Sequence, residues 1–576
     1  MEMITVTIDG KEIRVPTGTT VLAAAQMAGI DIPTLCYHPS LRAEGACRIC
    51  SVEMEGARSL VASCVYPVIP GAVIHTNNPR VRNARRTIVE LMLANHPSSC
   101  LTCERNNSCE LQRIAFDVGV RKVSFSGERR EWPKDETSPS VVRDPSKCIL
   151  CGRCVKACND IQTAGILNYN NRGFDTLVAP ALNRGMGSTS CVACGQCSLV
   201  CPVGAITEKS DIDEVWRALS DPGLHVVVQT APAVRVTIGE EFGFSPSVET
   251  GKLVAGLRRL GFARVFDTDF TADLTIIEEA HELLQRIENG GTLPMITSCS
   301  PGWIKFIEHN YPDLLPHLST CKSPQQMFGA LAKSYYAEKM GLKPEEIYVV
   351  SVMPCTAKKY EAKRPEMSRG GIPDVDTVLT TRELGRMFKE AGIDFAKLPD
   401  EEYNQPFGVS TGAGVIFGAT GGVMEAALRT AVEIISGKEL HQIEYTQMRG
   451  LEGIKEATLD VAGQKIKVAV ANSLANARKL MDLLIAGKVD YHFIEIMSCP
   501  GGCIGGGGQP RPVDVDIRLA RIQTIYQADR DLPLRKSHEN PEVKELYQSF
   551  LGKPLGHKSH ELLHTSYTRR PLFQEC

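Results

Sequence analysis

Fifteen of the chain's 21 cysteines fall before residue 202, and eight of them stand in two runs of identical spacing. Residues 148–158 read CILCGRCVKAC and residues 191–202 read CVACGQCSLVCP, each C-x2-C-x2-C-x3-C. The start, MEMITVTIDGKEIRVP, alternates like a strand and lacks the charged and apolar regions of an export signal. A cytoplasmic chain keeps its thiols reduced, so disulfides are a poor explanation and metal ligation is the first reading.

The duplicated run resembles two-cluster bacterial ferredoxins, in which the fourth cysteine of each run ligates the other cluster. That resemblance assigns Cys148, Cys151, Cys154 and Cys201 to one 4Fe–4S cluster, and Cys191, Cys194, Cys197 and Cys158 to a second. Upstream, Cys36, Cys47, Cys50 and Cys64 follow C-x10-C-x2-C-x13-C, a set able to hold a 2Fe–2S cluster. Next come His96, Cys100, Cys103 and Cys109. Zinc is the alternative for both sets, since it takes the same ligands. In spacing, both resemble the 2Fe–2S domain and the one-histidine, three-cysteine 4Fe–4S site shared by complex I large subunits and some hydrogenases.

Length implies several domains, and a net charge of −3 gives no basic surface for nucleic acid. No apolar run is long enough to span a bilayer. Residues 1–78 read as a small β-rich domain, 79–125 as a mostly helical segment with a cysteine loop, and 126–210 as the duplicated ferredoxin-like domain entered through a charged linker at 126–140. Beyond 211, strand-like runs such as HVVVQTAP, PMITSC, IYVVSVMPC, KVAVANS and YHFIEIMSC alternate with helical segments, an α/β pattern. One helix is expected from Ser323 as N-cap, with Pro324 in its first turn, to Gly341 as its stop. Three strands end in Cys299, Cys355 and Cys499, and ligands of open α/β sheets bind beyond carboxyl ends. These thiols should therefore converge.

Three late motifs meet there: TSCSPGW at 297–303, MPCTAKKYE at 353–361 and EIMSCPGGCIGGGGQP at 495–510. Together they closely resemble FeFe hydrogenases of the long form with four accessory clusters, over nearly the whole chain. The resemblance implies an H-cluster catalytic domain at 211–520 and a small-subunit-like segment at 521–576. N-terminal to these it implies a β-grasp 2Fe–2S domain and a bacterial-type ferredoxin domain. The implied H-cluster is a 4Fe–4S cubane joined to a di-iron unit bearing CO, cyanide and azadithiolate. Its implied ligands are Cys355, Cys499 and the bridging Cys503. Lys358 would pair with cyanide, and Pro232, Ser323, Gln325, Met353, Phe417, Gly418 and Met497 would shape the pocket. Ala233 stands where the family often has serine.

Glu279, Glu282 and Arg286 share one face of a helix, which by itself reads as a solvated face. The resemblance instead makes Cys299, Glu279, Ser319, Glu282 and Arg286 a proton relay. It also exposes one departure. The family has two adjacent cysteines where this chain has Cys299 and Ser300. Ser300 ranks first as the fourth cubane ligand; Cys299 turned inward, Cys321 or solvent are the alternatives.

The leading expectation is reversible interconversion of dihydrogen with protons and electrons. A complex-I-like electron-transfer subunit would not need the three late motifs, and a hydrogen sensor would carry a signalling domain. No flavin or nicotinamide fingerprint stands out, so the expected partners are ferredoxin, flavin- and NAD(P)-binding subunits, and maturation proteins.

Overall fold

The computed structural model describes residues 2–437, 439, 443–461 and 464–572, so Cys576 lies outside the described residues. Met3–Ile8 and Lys11–Pro16 form an antiparallel hairpin closed by Asp9 and Gly10, whose φ values are 48° and 82°. Such a left-handed pair matches the twist of the flanking strands. Val73–His75 joins Met3–Ile8 in parallel, and Ser51–Met54 and Val61–Ala62 complete a five-stranded mixed sheet. Helix Val21–Met27 is capped by the Thr20 side chain at Ala23 N and lays Val21, Leu22, Ala24 and Ala25 into the core under that sheet.

Helix Pro79–Ala94 begins at Asn78, whose side chain accepts from Val81 N, and packs against helix Glu110–Asp117. Residues 126–140 contain no helix or strand, as a linker should. They are anchored nonetheless: buried Asp135 accepts from Met186 N at 2.9 Å and pairs with Arg143. The sequence duplication reappears in the backbone. Leu150 and Gly152 have φ of 53° and 74°, and Ala193 and Gly195 have 58° and 69°, each pair leading into a short helical turn.

The catalytic part holds two four-stranded sheets. In one, Arg264–Asp267, His225–Thr230, Ile347–Met353 and Thr377–Thr380 run parallel in that order. In the other, Met295–Ile296, Phe493–Met497 and Gln464–Asn472 are parallel, and Ile454–Val461 closes the edge antiparallel. The strands of the first sheet are almost wholly buried and read as continuous apolar runs, as expected when helices cover both faces. The expected helix after Ser323 forms as Pro324–Leu331, passes through a π-helical turn, and ends at Gly341, φ 65°. Ser323 does not cap it by side chain; its hydroxyl donates to Glu361 Oε2 at 2.8 Å.

Beyond helix Val515–Asp531, the C-terminal segment wraps back over the catalytic part. Lys322 N donates to Leu563 O and Thr565 N to Thr320 O, both at 2.7 Å, and Arg570 joins buried Glu308.

Candidate active site

The carboxyl ends of both sheets open on one cavity of about 80 Å³. Cys355 lies two residues past strand Ile347–Met353, and Cys499 two residues past Phe493–Met497. With Cys503, Cys299, Ser300, Lys358, Gln325, Pro232, Met353, Met497 and Phe417 they line it. Ser323 and Gly418 stand behind the wall: Ser323 is bonded to Glu361, and a Cβ on Gly418 would meet Ile525 Cδ1 at 2.8 Å.

Burial pushes the Cys355 and Cys499 thiols up, and Cys503 to about 12, with neighbouring thiols adding to the effect at Cys499 and Cys503 and Lys358 opposing it at Cys355 and Cys503. Such a cluster of buried thiols is costly to ionise without a cation and favourable around iron, which binds thiolate and inverts that balance. Gln325 Oε1 is buried without a hydrogen-bond donor. The donor set and the orphaned oxygen fit an iron–sulfur group with an inorganic neighbour. Ser300 faces the cavity, but its Oγ lies 2.7 Å from Ser498 Oγ and accepts from Ser498 N at 3.2 Å. Cys321 is fully buried off the cavity wall, its Sγ 4.0 Å from Glu282 Oε2.

Glu361 had gone unassigned in the sequence. One of its oxygens accepts from Lys358 Nζ (2.9 Å), Gln325 Nε2 (3.1 Å) and Ser323 Oγ (2.8 Å). Its fixed place three residues after Lys358 was the available signal. Lys358 Nζ also donates to Cys299 O at 3.1 Å, so the ammonium is tethered at the cavity edge.

The upstream cysteines fall into the expected groups. Cys36 N approaches Cys47 Sγ and Cys47 N approaches Cys36 Sγ, each at 3.4 Å, and Cys64 interacts with both Cys36 and Cys50. Beyond the dominant cost of burial, Cys201 raises Cys148, Cys151 and Cys154, while Cys158 raises Cys194 and Cys197. Cys201 thus stands near the first run and Cys158 near the second. His96 Nδ1 is held 3.0 Å from Pro97 O, leaving buried Nε2 without a partner. That tautomer presents a lone pair at Nε2, as a metal ligand requires. Cys103 packs against Gly204, bringing its site beside the Cys201 loop, while Cys100 is exposed.

The duplicated domain meets the cavity directly. Gln196 Nε2 donates to Gly505 O and Gln162 Nε2 to Ser498 O, both at 2.9 Å, and Thr356 Oγ1 to Ala193 O at 2.8 Å. A Cβ on Gly507 would lie 2.3 Å from Cys194 O, so glycine is needed for this contact. Arg382 locks it by bonding Glu208, Gly507 O and Gln509 O. Cys194 and Cys355 feel each other's charge, as do Cys194 and Cys499.

On the opposite side, helix Thr268–Glu288 carries Glu279 and Glu282 fully inside the protein, only 1% and 6% exposed. The solvated-face reading of this helix is overturned: Glu279 and Glu282 are buried against Ser298 and the Ser319–Thr320 segment. Burial pushes the Glu279 carboxyl up to about 8, with bonds from Ser319 and the Ser298 backbone opposing, and it stands close enough to Cys299 to raise that thiol. Ser319 Oγ donates to Glu282 Oε2 at 3.1 Å, and Arg286 pairs with Glu282 Oε1 at 2.6 Å. Direct contacts join Ser319, Glu282 and Arg286, with Glu279 and Cys299 beside them and Glu279 Oε1 buried without a hydrogen-bond partner.

Five family descriptions match the chain in order. They are the 2Fe-2S iron-sulfur cluster binding domain (1–79), the NADH-ubiquinone oxidoreductase-G iron-sulfur binding region (85–124) and the 4Fe-4S dicluster domain (147–206). The C-terminal domain of the iron only hydrogenase large subunit (224–507) and the iron hydrogenase small subunit (515–570) follow. The chain is 52% identical to NADP-reducing hydrogenase subunit HndD of Solidesulfovibrio fructosivorans, over 99% of this chain and all of that one. It is 44% identical to iron hydrogenase 1 of Clostridium pasteurianum, over 98% and 100% of the two chains. Among solved structures, a variant of FeFe-hydrogenase HydA1 from Chlamydomonas reinhardtii matches at TM-score 0.57 and 46% identity, over 63% of this chain and all of that one. The chain belongs to the FeFe (iron-only) hydrogenases. It is the catalytic subunit type, with accessory iron–sulfur domains before the hydrogenase domain.

Proposed function

We propose that the chain interconverts dihydrogen with two protons and two electrons at the cavity, where Cys355, Cys499, Cys503 and Ser300 would hold the H-cluster. The observation that carries this reading is the convergence of three thiols from two sheets on one cavity, with the Cys194 loop packed behind it against Gly507. When bound, the di-iron unit with its CO, cyanide and azadithiolate supplies the low-potential metal chemistry. This chain's residues do the remainder. Lys358, tethered by Glu361, presents a cation suited to cyanide, and Gln325 presents amide atoms. Met353, Met497, Phe417 and Pro232 keep water out.

Protons move through Cys299, Glu279, Ser319 and Glu282. The Cys299 thiol, kept protonated by burial, can give up its proton and be refilled from the Glu279 carboxyl. Ser319 passes a proton between the carboxyls, and Arg286 holds Glu282 in register.

Cys36, Cys47, Cys50 and Cys64 would hold one 2Fe–2S cluster, His96, Cys100, Cys103 and Cys109 one 4Fe–4S cluster, and the two crossed cysteine sets two more, which when bound would supply the electron relay. The Cys158, Cys191, Cys194, Cys197 cluster is the last before the cavity. Full-length similarity to a chain named as a subunit of an NADP-reducing hydrogenase supports a flavin-bearing NAD(P)-linked partner, with ferredoxin as a second acceptor. No helix among the described residues is long and apolar enough to cross a membrane. So many cluster thiols, all needed reduced, suit a cytoplasmic assembly. Matured protein should bind about 20 irons by cluster type. Protein made without the maturation proteins should keep the accessory clusters and neither evolve nor consume hydrogen. Hydrogen turnover by that preparation would overturn the reading.

A further inference from the structure

The relay just proposed stops at Glu282, and the residue beyond it on its own helix is a poor source of protons. Arg286 spends its donors on Glu282 and on the carbonyls of Thr292, Pro316, His317 and Leu318. A guanidinium does not release a proton in proteins. A second chain of contacts leaves Glu282 in another direction. Thr320 Oγ1 donates to Glu282 Oε2 at 3.2 Å, and the same hydroxyl lies 2.7 Å from Nδ1 of His564, in the C-terminal segment. Nε2 of that ring is 3.1 Å from Glu278 Oε2. His564 is 9% exposed and lines a polar pocket of about 370 Å³ between the C-terminal segment and the Ser368–Pro373 hairpin. Exposed His560 lies beside it, the two rings tilted by 42° with centroids 4.3 Å apart.

We propose that His564 is the port through which protons enter and leave the relay, exchanging with water in that pocket and with Glu282 through Thr320. The inference rests on the reading of Cys299, Glu279, Ser319 and Glu282 as the proton path. The hydrogen bonds define the step. In neutral His564, Nε2–H faces the Glu278 carboxylate and Nδ1 accepts from the Thr320 hydroxyl, which in that state is turned away from Glu282; protonation of Nδ1 turns the hydroxyl back to Glu282. When the ring takes up a proton, both nitrogens donate. Thr320 then receives the Nδ1 proton while its own hydroxyl proton passes to Glu282. One proton enters the ring, one reaches Glu282, and His564 returns to neutral; no electron moves. Bonds from His564, Tyr547 and Leu555 N outweigh burial and hold the Glu278 acid below its usual range, which keeps an anion beside the imidazolium. Cys321 Sγ shares the corner, within 4.8 Å of the Glu282 and His564 ligand atoms, but burial keeps that thiol un-ionised. The device is legible only in the fold, because His564 and Thr320 are 244 residues apart.

The test uses matured full-length protein with His564→Gln, His564→Ala and Thr320→Val, beside Glu279→Gln as a marker of the relay itself. His564→Gln can keep polar contacts to Thr320 and Glu278 but cannot titrate. It should lower turnover at least about tenfold with the CO and cyanide infrared bands unmoved. Free imidazole should restore His564→Ala. After rapid mixing into D2O, the carboxylic-acid C=O band of Glu279 should deuterate more slowly in His564→Gln and Thr320→Val than in the parent. Deuteration at the parent rate in both variants overturns the proposal, whatever the turnover. Normal turnover in both, with Glu279→Gln slow, removes the port and leaves the relay standing. Normal turnover in Glu279→Gln as well removes the relay reading and the port with it.

Discussion

Ser300 Oγ and Ser498 Oγ lie 2.7 Å apart on the cavity wall, one residue before Pro301 and Cys499 respectively. The hydroxyl that replaces the family's usual thiol is thus held by a hydrogen-bond partner, and as an iron ligand it would bind as a hard alkoxide. Ser300→Cys should retain hydrogen activity and move the cubane potential. Ser300→Ala should lower cubane occupancy, read by iron content and electron paramagnetic resonance. If Ser300→Ala is mild and Cys299→Ala loses the cubane, Cys299 is the ligand instead.

His96 Nε2 is buried and unpartnered. Replacing neutral imidazole with anionic thiolate adds negative charge at the cluster. His96→Cys should keep a 4Fe–4S signal and lower its potential by something on the order of 100 mV. Zinc at the site, with one 4Fe–4S signal missing, would falsify the ligand assignment.

Glu279 and Glu282 sit off the cavity's metal-binding wall but inside the protein. Glu279→Gln and Glu282→Gln should each cut turnover about 100-fold or more, the usual worth of a positioned proton-transfer group. The CO and cyanide bands should stay where they are. Parent-level turnover in both variants would reduce these carboxyls to structural groups.

The Glu279 carboxyl also couples pH to stability. Its value in the fold is about 8, against 4.5 for the free group. Between those values the unfolded chain releases a proton that the folded chain retains, so folding loses ground as pH rises. The stabilisation is complete below the unfolded value and gone above the folded one. The loss is on the order of 5 kcal/mol. Anaerobic thermal melts should therefore fall between pH 5 and pH 8, and the slope should flatten in Glu279→Gln. An equally steep profile in the variant would show that the group does not titrate in this window.

Gly507 touches the Cys194 loop so closely that a methyl group would lie 2.3 Å from Cys194 O. Gly507→Ala should push the ferredoxin-like domain off the cavity wall. Electron delivery to a partner should slow severalfold while hydrogen–deuterium exchange at the active site, which needs no long-range electron transfer, persists. Equal loss of both activities would mean the contact shapes the cavity rather than the electron path.

Much of this protein is written in short, local patterns. The duplicated runs at 148–158 and 191–202 are legible in spacing, and the resemblance to two-cluster ferredoxins turns that spacing into candidate ligand sets. The strand endings at Cys355 and Cys499 were also legible: period and turn residues mark where a strand stops. Tertiary structure decided everything that depends on partners far apart in the chain. Glu279 and Glu282 have the composition of a solvated helix face, and only packing against Ser298 and the Ser319–Thr320 segment strips their water and turns them into buried acids. Ser300 meets Ser498 across 198 residues, Cys194 meets Gly507 across two domains, and His564 meets Thr320 because the C-terminal segment folds back. Sequence spacing fixes which atoms can reach one small cluster. Desolvation, hydrogen-bond pairing and domain contact are properties of the assembled interior, and no local window contains them.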